Sequence, residues 1–337
     1  MSEFVSTDAG DVMTESSRIF ITGSTGFVGS TIVKKLLQEN IRLTVAVFAA
    51  EGARFPAAIK QVVVEPLSKS CDYTAALQDI DTVIHLAARV HVMKETAHDP
   101  LQEFRKVNVY GMERLARQAA QAGAKRFVFM STIGVNGDIS GDKPYTEGDV
   151  PRPHNPYSVS KYEAELALRQ ISIETGMEVV IIRAPLVYGP CNPGNFLSLL
   201  RIVSKGIPLP LASVKNKRSL IYVGNLVDAL ATCATHPGAA GQTYLVSDGG
   251  NVSTPELVRR TASALGVPAR LFPAPVSLMK LLGKLTGKSG AVNRLTGSLT
   301  VDSSKIRQEL EWKPPFTMEE GLRETAGWFN NRVKVKS

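Results

Sequence analysis

The sequence predicts an α/β protein built on a doubly wound parallel sheet, with a smaller lobe assembled from its C-terminal part. Three observations carry that expectation. Short apolar runs alternate with helical patterns through the first half of the chain. A glycine-rich turn, Gly23-Ser24-Thr25-Gly26-Phe27-Val28-Gly29, joins the first run to the first helix. Tyr157-Ser158-Val159-Ser160-Lys161 follows Ser131-Thr132 by about twenty-five residues. Alternation of this kind places helices on both faces of a buried sheet.

The first strand is Arg18-Ile19-Phe20-Ile21-Thr22, and Ile32, Val33, Leu36 and Leu37 recur behind the glycines at helical spacing. Gly23 permits the tight turn, Gly26 lets the backbone approach a pyrophosphate, and Gly29 lets helix and strand pack closely, so that the helix N-terminus faces the phosphates. Further strands are expected at Leu43 to Phe48, Val62 to Val64, Val83 to Leu86, Phe127 to Met130 and Val179 to Ile182. Tyr157 and Lys161, four apart on a helix, share one face. An ammonium there stabilises phenolate and draws the phenol down from its usual value of ~10, which makes Tyr157 the candidate acid/base for hydride chemistry at an alcohol or ketone carbon.

After Arg183 the chain becomes richer in Pro and Gly and its elements shorten. Residues 1–16 read as a flexible polar tail, 17–183 as the dinucleotide-binding domain, 184–330 as mainly the substrate lobe, and 331–337 as a basic tail. Asn195 to Ser204 begin the lobe, while Leu220 to Val223 and the helix through Leu226 to Ala234 are expected to return to the main body. No run is apolar for long enough to span a membrane. The stretch Leu278 to Leu285 is interrupted by Lys280, Gly283 and Lys284, which predicts an amphipathic or buried helix and no stable membrane insertion. The N-terminal tail lacks the basic start and apolar run of a signal peptide, and a cytoplasmic location is expected.

Cys71, Cys191 and Cys233 are too widely spaced to support a disulfide framework or a thiolate metal site. His85, His91 and His98 lack ligand spacing, and no metal is expected. The net charge of +8 comes from 39 Lys and Arg against 31 Asp and Glu, scattered along the chain. That pattern argues against nucleic acid and suits a nucleotide diphosphate.

With these features in order, the chain resembles the extended short-chain dehydrogenases/reductases of the nucleotide-sugar epimerase, dehydratase and reductase group, and a Rossmann fold is implied. The likeness also rests on Asp81-Thr82-Val83-Ile84-His85-Leu86-Ala87-Ala88, Asn108-Val109-Tyr110-Gly111, Pro144-Tyr145-Thr146-Glu147 and Arg183-Ala184-Pro185-Leu186-Val187-Tyr188-Gly189. It implies that Gly23, Thr25, Gly26, Phe27, Val28 and Gly29 bind the cofactor together with Leu86, Ala87, Ala88, Pro185 and Val187. Asn108 would support the active-site end of the long helix, and Lys161 would hold the nicotinamide ribose. Thr132 matches the catalytic Ser/Thr whose hydroxyl bonds the sugar oxygen. Asn195, Phe196, Arg218 and Arg294 would contact the substrate, the arginines through phosphate. Met93, Lys94, Val135 and Asn136 are further lining candidates.

Departures from the group's patterns point towards a reaction. Sugar 4,6-dehydratases carry Asp-Glu where Ile133-Gly134 stands. Many 4-epimerases have Asn at Leu186 and an acid near Val47; without that acid the 2′-phosphate of NADP is not repelled, and Arg54 could meet it. NADPH and NADH both stay open. Leu86-Ala87-Ala88-Arg89-Val90-His91-Val92-Met93 and Ile207-Pro208-Leu209-Pro210-Leu211 resemble bacterial UDP-sugar 4-ketoreductases. The leading expectation is therefore NAD(P)H-dependent reduction of a UDP-4-keto-6-deoxy-N-acetylhexosamine to UDP-N-acetylquinovosamine for O-antigen. The alternative is a UDP-hexose or UDP-N-acetylhexosamine 4-epimerase, and a third reading is a non-catalytic cofactor-sensing protein. A homodimer through the long helices is expected, with Leu166, Leu168 and Ile171 as apolar positions.

Overall fold

The computed structural model describes residues 18–49, 55–90 and 98–334. The N-terminal tail, Arg54, His91, Met93, Lys94 and the last three residues lie outside them.

The first half runs β1 (Arg18–Thr22), α1 (Phe27–Gln38), β2 (Arg42–Val47), β3 (Lys60–Val63), β4 (Thr82–His85), α2 (Pro100–Arg105), a π-helical turn (Lys106–Gly111), α3 (Met112–Gln121), β5 (Arg126–Thr132), α4 (Pro156–Thr175) and β6 (Glu178–Ala184). The second half adds β7 (Leu186–Tyr188), α5 (Asn195–Ser204), β8 (Arg218–Tyr222), α6 (Val223–Thr235), β9 (Thr243–Leu245), β10 (Asn251–Val252), α7 (Thr254–Leu265), α8 (Val276–Leu285), α9 (Ser289–Thr296), α10 (Ser304–Glu309) and α11 (Met318–Lys334). The last helix thus reaches into the stretch read as a basic tail.

Seven parallel strands form the main sheet in the order β3-β2-β1-β4-β5-β6-β9. Its strands read as continuous apolar runs because both faces are covered. Alternation along β1 sends Ile19 and Ile21 into the core on one face and Phe20 into the core on the other. The first core includes residues of α1 and α6, and the second is closed by Leu115 and Ala116 of α3 with Ala164, Leu168 and Ile171 of α4. Strand order reverses at β1, which pairs with both β2 and β4. In such sheets the crevice beyond the strand C-termini at that reversal is where ligands bind.

Two expectations change. Leu220 to Val223 pack into the same core as Ile19 and Ile21, but as the middle strand, β8, of a second sheet, β10-β8-β7, and not within the main one. The strand that joins the main sheet is β9, whose three residues are too short for periodicity to reveal. Of the apolar positions assigned to a dimer face, Leu168 and Ile171 are fully buried, because the rotation of α4 turns them to the sheet. Leu166 stays outside, joined by Ile173. Among the described residues no helix is long and apolar enough to cross a membrane.

Candidate active site

The glycine turn is closed by its own backbone. Gly23 has φ +69°, and a Cβ there would meet the Ala87 backbone nitrogen at 2.7 Å. A Cβ on Gly29 would lie 2.0 Å from the Gly23 carbonyl oxygen, so α1 can start this close to β1 only with glycine at that position. The Gly26 N–H donates to the Gly23 carbonyl at 3.1 Å, and buried Ser24 ties the turn to β2 by donating to the Ala46 carbonyl at 2.6 Å.

This turn forms one wall of a cavity of about 600 Å³. Gly23, Thr25, Gly26, Phe27, Val28 and Gly29 line it with Leu86, Ala87 and Ala88. On the β2–β3 side it is lined by Phe48, Val64, Pro66, Leu67 and Tyr73, and on the other by Tyr157 and Lys161. A side-chain-free cradle at a helix N-terminus, an apolar slot and a phenol–amine pair fit a nicotinamide dinucleotide.

Helix α4 is fixed by its first turn. Asn155 accepts the Ser158 N–H at 2.9 Å, Ser158 Oγ accepts the Asn155 N–H at 3.2 Å, and Pro156 opens the helix. The helix ends at Gly176 in the left-handed conformation. Tyr157, Lys161 and Glu165 therefore succeed one another on the face turned to the sheet. The Lys161 Nζ lies 3.9 Å from the centroid of the Phe129 ring.

Electrostatics differ from the expectation. Burial dominates both groups, pushing the Tyr157 phenol up to about 12. It lowers Lys161 from 10.5 to about 7, with Glu165 pulling the other way. The ammonium was expected to draw the phenol down; in a dry site the desolvation of each charge outweighs that attraction. A pH dependence follows. Between about 7 and 10.5 the unfolded chain keeps the Lys161 proton and the folded one releases it, so folding stability rises as pH is raised through that window. Melting curves of the cofactor-free protein and of Lys161→Met should diverge in that range, the wild type gaining relative to the variant with pH. Parallel curves would show that Lys161 stays charged when folded.

Thr132 ends β5, and its Oγ1 accepts the Gly134 N–H at 3.2 Å, leaving its proton for a substrate oxygen. Behind it lies a network that the sequence did not announce. Glu165 and Arg183 are both buried and paired, Nη2 to Oε2 at 2.6 Å and Nε to Oε1 at 3.0 Å. Ser131 donates to the same carboxylate at 2.5 Å. The second guanidinium arm of Arg183 reaches Asn136 Oδ1 at 2.9 Å, and Asn136 donates to the Thr146 carbonyl at 2.9 Å. A helix turn beyond Lys161 was the available signal for Glu165, but charge alone does not distinguish it from a surface residue.

Asn108 sits in the π-helical turn and bridges two segments. Its amide donates to Ser160 Oγ on α4 and to the Arg89 carbonyl, both at 3.0 Å, and its oxygen accepts the Arg89 N–H at 2.8 Å. Arg89, unassigned by sequence, lines the cavity with Pro193. Thr132, Pro185 and Val187 stand outside that lining. Among the substrate candidates, Phe196 is buried with its ring 5.3 Å from that of Tyr188; the apolar face of α5 turns it inward, so its ring serves the core. Asn195 is exposed at the start of α5. Arg218 donates to the Arg294 carbonyl at 2.8 Å, which brings the two arginines together.

The model of the NAD dependent epimerase/dehydratase family matches residues 19–247. The chain is 46% identical over 325 residues to UDP-glucose 4-epimerase of Vibrio cholerae, covering 93% of this chain and 97% of that one. Two solved structures match along nearly their whole length. The Thermus thermophilus UDP-glucose 4-epimerase complex with NAD has a TM-score of 0.73 and 26% identity over 93% of this chain and 99% of that one. MoeE5 in complex with UDP-glucose and NAD has a TM-score of 0.75 and 25% identity over 94% and 100%. The expectation of a 4-ketoreductase forming UDP-N-acetylquinovosamine is overturned by the 46% identity to an epimerase. The departures behind it were misleading for a physical reason. Leu186 is exposed on β7 and Val47 ends β2. Neither lines the cavity with Tyr157 and Lys161.

Proposed function

The chain belongs to the NAD dependent epimerase/dehydratase family, and from that premise we propose that it is a UDP-hexose 4-epimerase acting on UDP-glucose and UDP-galactose with NAD. The observation that carries this reading is the likeness to UDP-glucose 4-epimerase of Vibrio cholerae along 93% of the chain. Tyr157, Lys161 and Thr132 supply the chemistry it needs.

Bound NAD supplies a hydride acceptor and a positive charge. The residues of this chain do the rest. The Gly23–Gly29 turn and the N-terminus of α1 hold the pyrophosphate. Lys161 holds the nicotinamide ribose. With a cation beside it, the Tyr157 phenol ionises and removes the proton from the sugar O4. Thr132 donates a hydrogen bond to the same oxygen as its charge changes. C4 would give up its hydride to the bound acceptor as O4 loses its proton, the keto sugar would turn to present its other face, and C4 would take the hydride back as Tyr157 returns the proton to O4.

The test is to incubate the purified protein with UDP-galactose, with no cofactor added, and to identify the sugar nucleotide after reaction. Conversion to UDP-glucose without net change at the nicotinamide absorbance band is expected. An unaltered sugar in the presence of both NAD and protein would refute the reading.

A further inference from the structure

We propose that the α8–α9 hairpin docks the protein on an anionic lipid bilayer. Helix α8 shows leucines to solvent: Leu278, Leu281, Leu282 and Leu285 are 47%, 54%, 52% and 74% exposed. At about 100° per residue they fall within one arc of the helix. The opposite side holds the helix down, where Val276 and Met279 pack on the core and a Cβ at Gly283 would sit 2.7 Å from Val292 of α9. The leucines are therefore not a seam awaiting closure within the monomer, and α9 buries none of its own residues.

Charge says which partner fits. Between Glu256 and Asp302 there is no acidic residue, while the same 45 residues carry seven lysines and arginines. Lys284 borders the leucine arc on the Leu281 side, Lys280 stands one turn before it and farther round the helix, and Lys288 and Arg294 follow on the return of the hairpin. All four are exposed, and none forms an ion pair among the described residues. An apolar arc flanked by unpaired cations is the arrangement by which an amphipathic helix lies in the interface of an anionic membrane, the leucines in the acyl boundary and the ammonium groups at the phosphates.

A second copy of the chain fits worse. A two-fold contact through this face would set like charges against each other. The exposed side of α4, with Leu166 and Ile173, differs in kind: it carries both signs, with Glu163 paired to Arg105 and Glu174 paired to Arg117.

The test is sedimentation of the full-length protein with sucrose-loaded vesicles. With phosphatidylglycerol and phosphatidylethanolamine the protein should pellet, far less so with phosphatidylcholine alone, and the bound fraction should fall as salt is raised. Leu281→Asp/Leu285→Asp should weaken vesicle binding by about tenfold or more with Tm unchanged. Lys280→Glu/Lys284→Glu provides a second variant that leaves the leucines in place, and it should abolish the preference for anionic lipid. Pelleting no greater than without vesicles overturns the proposal, as does binding that survives both variants. So does a shift of the leucine variant to a smaller species in sedimentation velocity, which would make the face a contact between copies.

Discussion

Tyr157→Phe is expected to lower kcat by about 10²- to 10⁴-fold, the scale lost with a general acid/base, while Tm and cofactor content stay at wild-type values. The ring itself is structural. It meets Phe104 edge-on at 6.1 Å between centroids, a contact that Phe preserves. Only the hydroxyl is removed, and with it the group proposed to carry the O4 proton in both directions. Steady-state kinetics beside a melting curve separates the two contributions. Unimpaired turnover would take Tyr157 out of the mechanism.

Glu165→Ala should destabilise the protein by about 3–5 kcal/mol, a fall in Tm on the order of 10 °C for a chain of this size. The cost comes less from the lost attraction than from what is left behind. Arg183 would remain buried with one arm on Asn136 and its other donors without an acceptor. Ser131 would lose its acceptor too. Glu165→Gln keeps the shape and one oxygen, and should fall between wild type and Ala. A wild-type Tm for Glu165→Ala would mean that water reaches the guanidinium and that the pair is not dry.

What the sequence revealed was what local chemistry encodes. A strand, three spaced glycines and a helical stripe define β1, the turn and α1, because Gly26 and Gly29 both close on the carbonyl of nearby Gly23. Tyr157 and Lys161 were legible for the same reason, since helical spacing alone puts them on one face. The Glu165–Arg183 pair was not. It joins α4 to β6, and its meaning lies in burial, which depends on how the helix is turned against the sheet. Rotation of α4 likewise decided that Leu168 belongs to the core and Leu166 to the surface. The direction of the pKa shifts escaped for a related reason: spacing tells which charges are neighbours, whereas desolvation depends on everything packed around them. The nature of the reaction was misread from Leu186, Val47 and two short runs, one of which, Leu86 to Val90, lines the cavity, and whole-chain similarity corrected it.

The π-helical turn at Lys106–Gly111 sets a constraint on how this chain can change length. A π turn holds one residue more than the α-helix it interrupts. Removing a single residue there would let the segment relax to α geometry with the helix after it kept in phase, whereas removing one from α3 itself would swing everything after it by about 100°. A deletion at the start of α3 would carry Leu115 and Ala116 off the sheet, while one in the π turn would cost the bridge from Asn108 to Ser160 and Arg89. Loops elsewhere on the surface can gain or lose residues one at a time, but α3 is phased like a gear tooth, and the π turn before it is where this helix can shed one residue and keep its rotation.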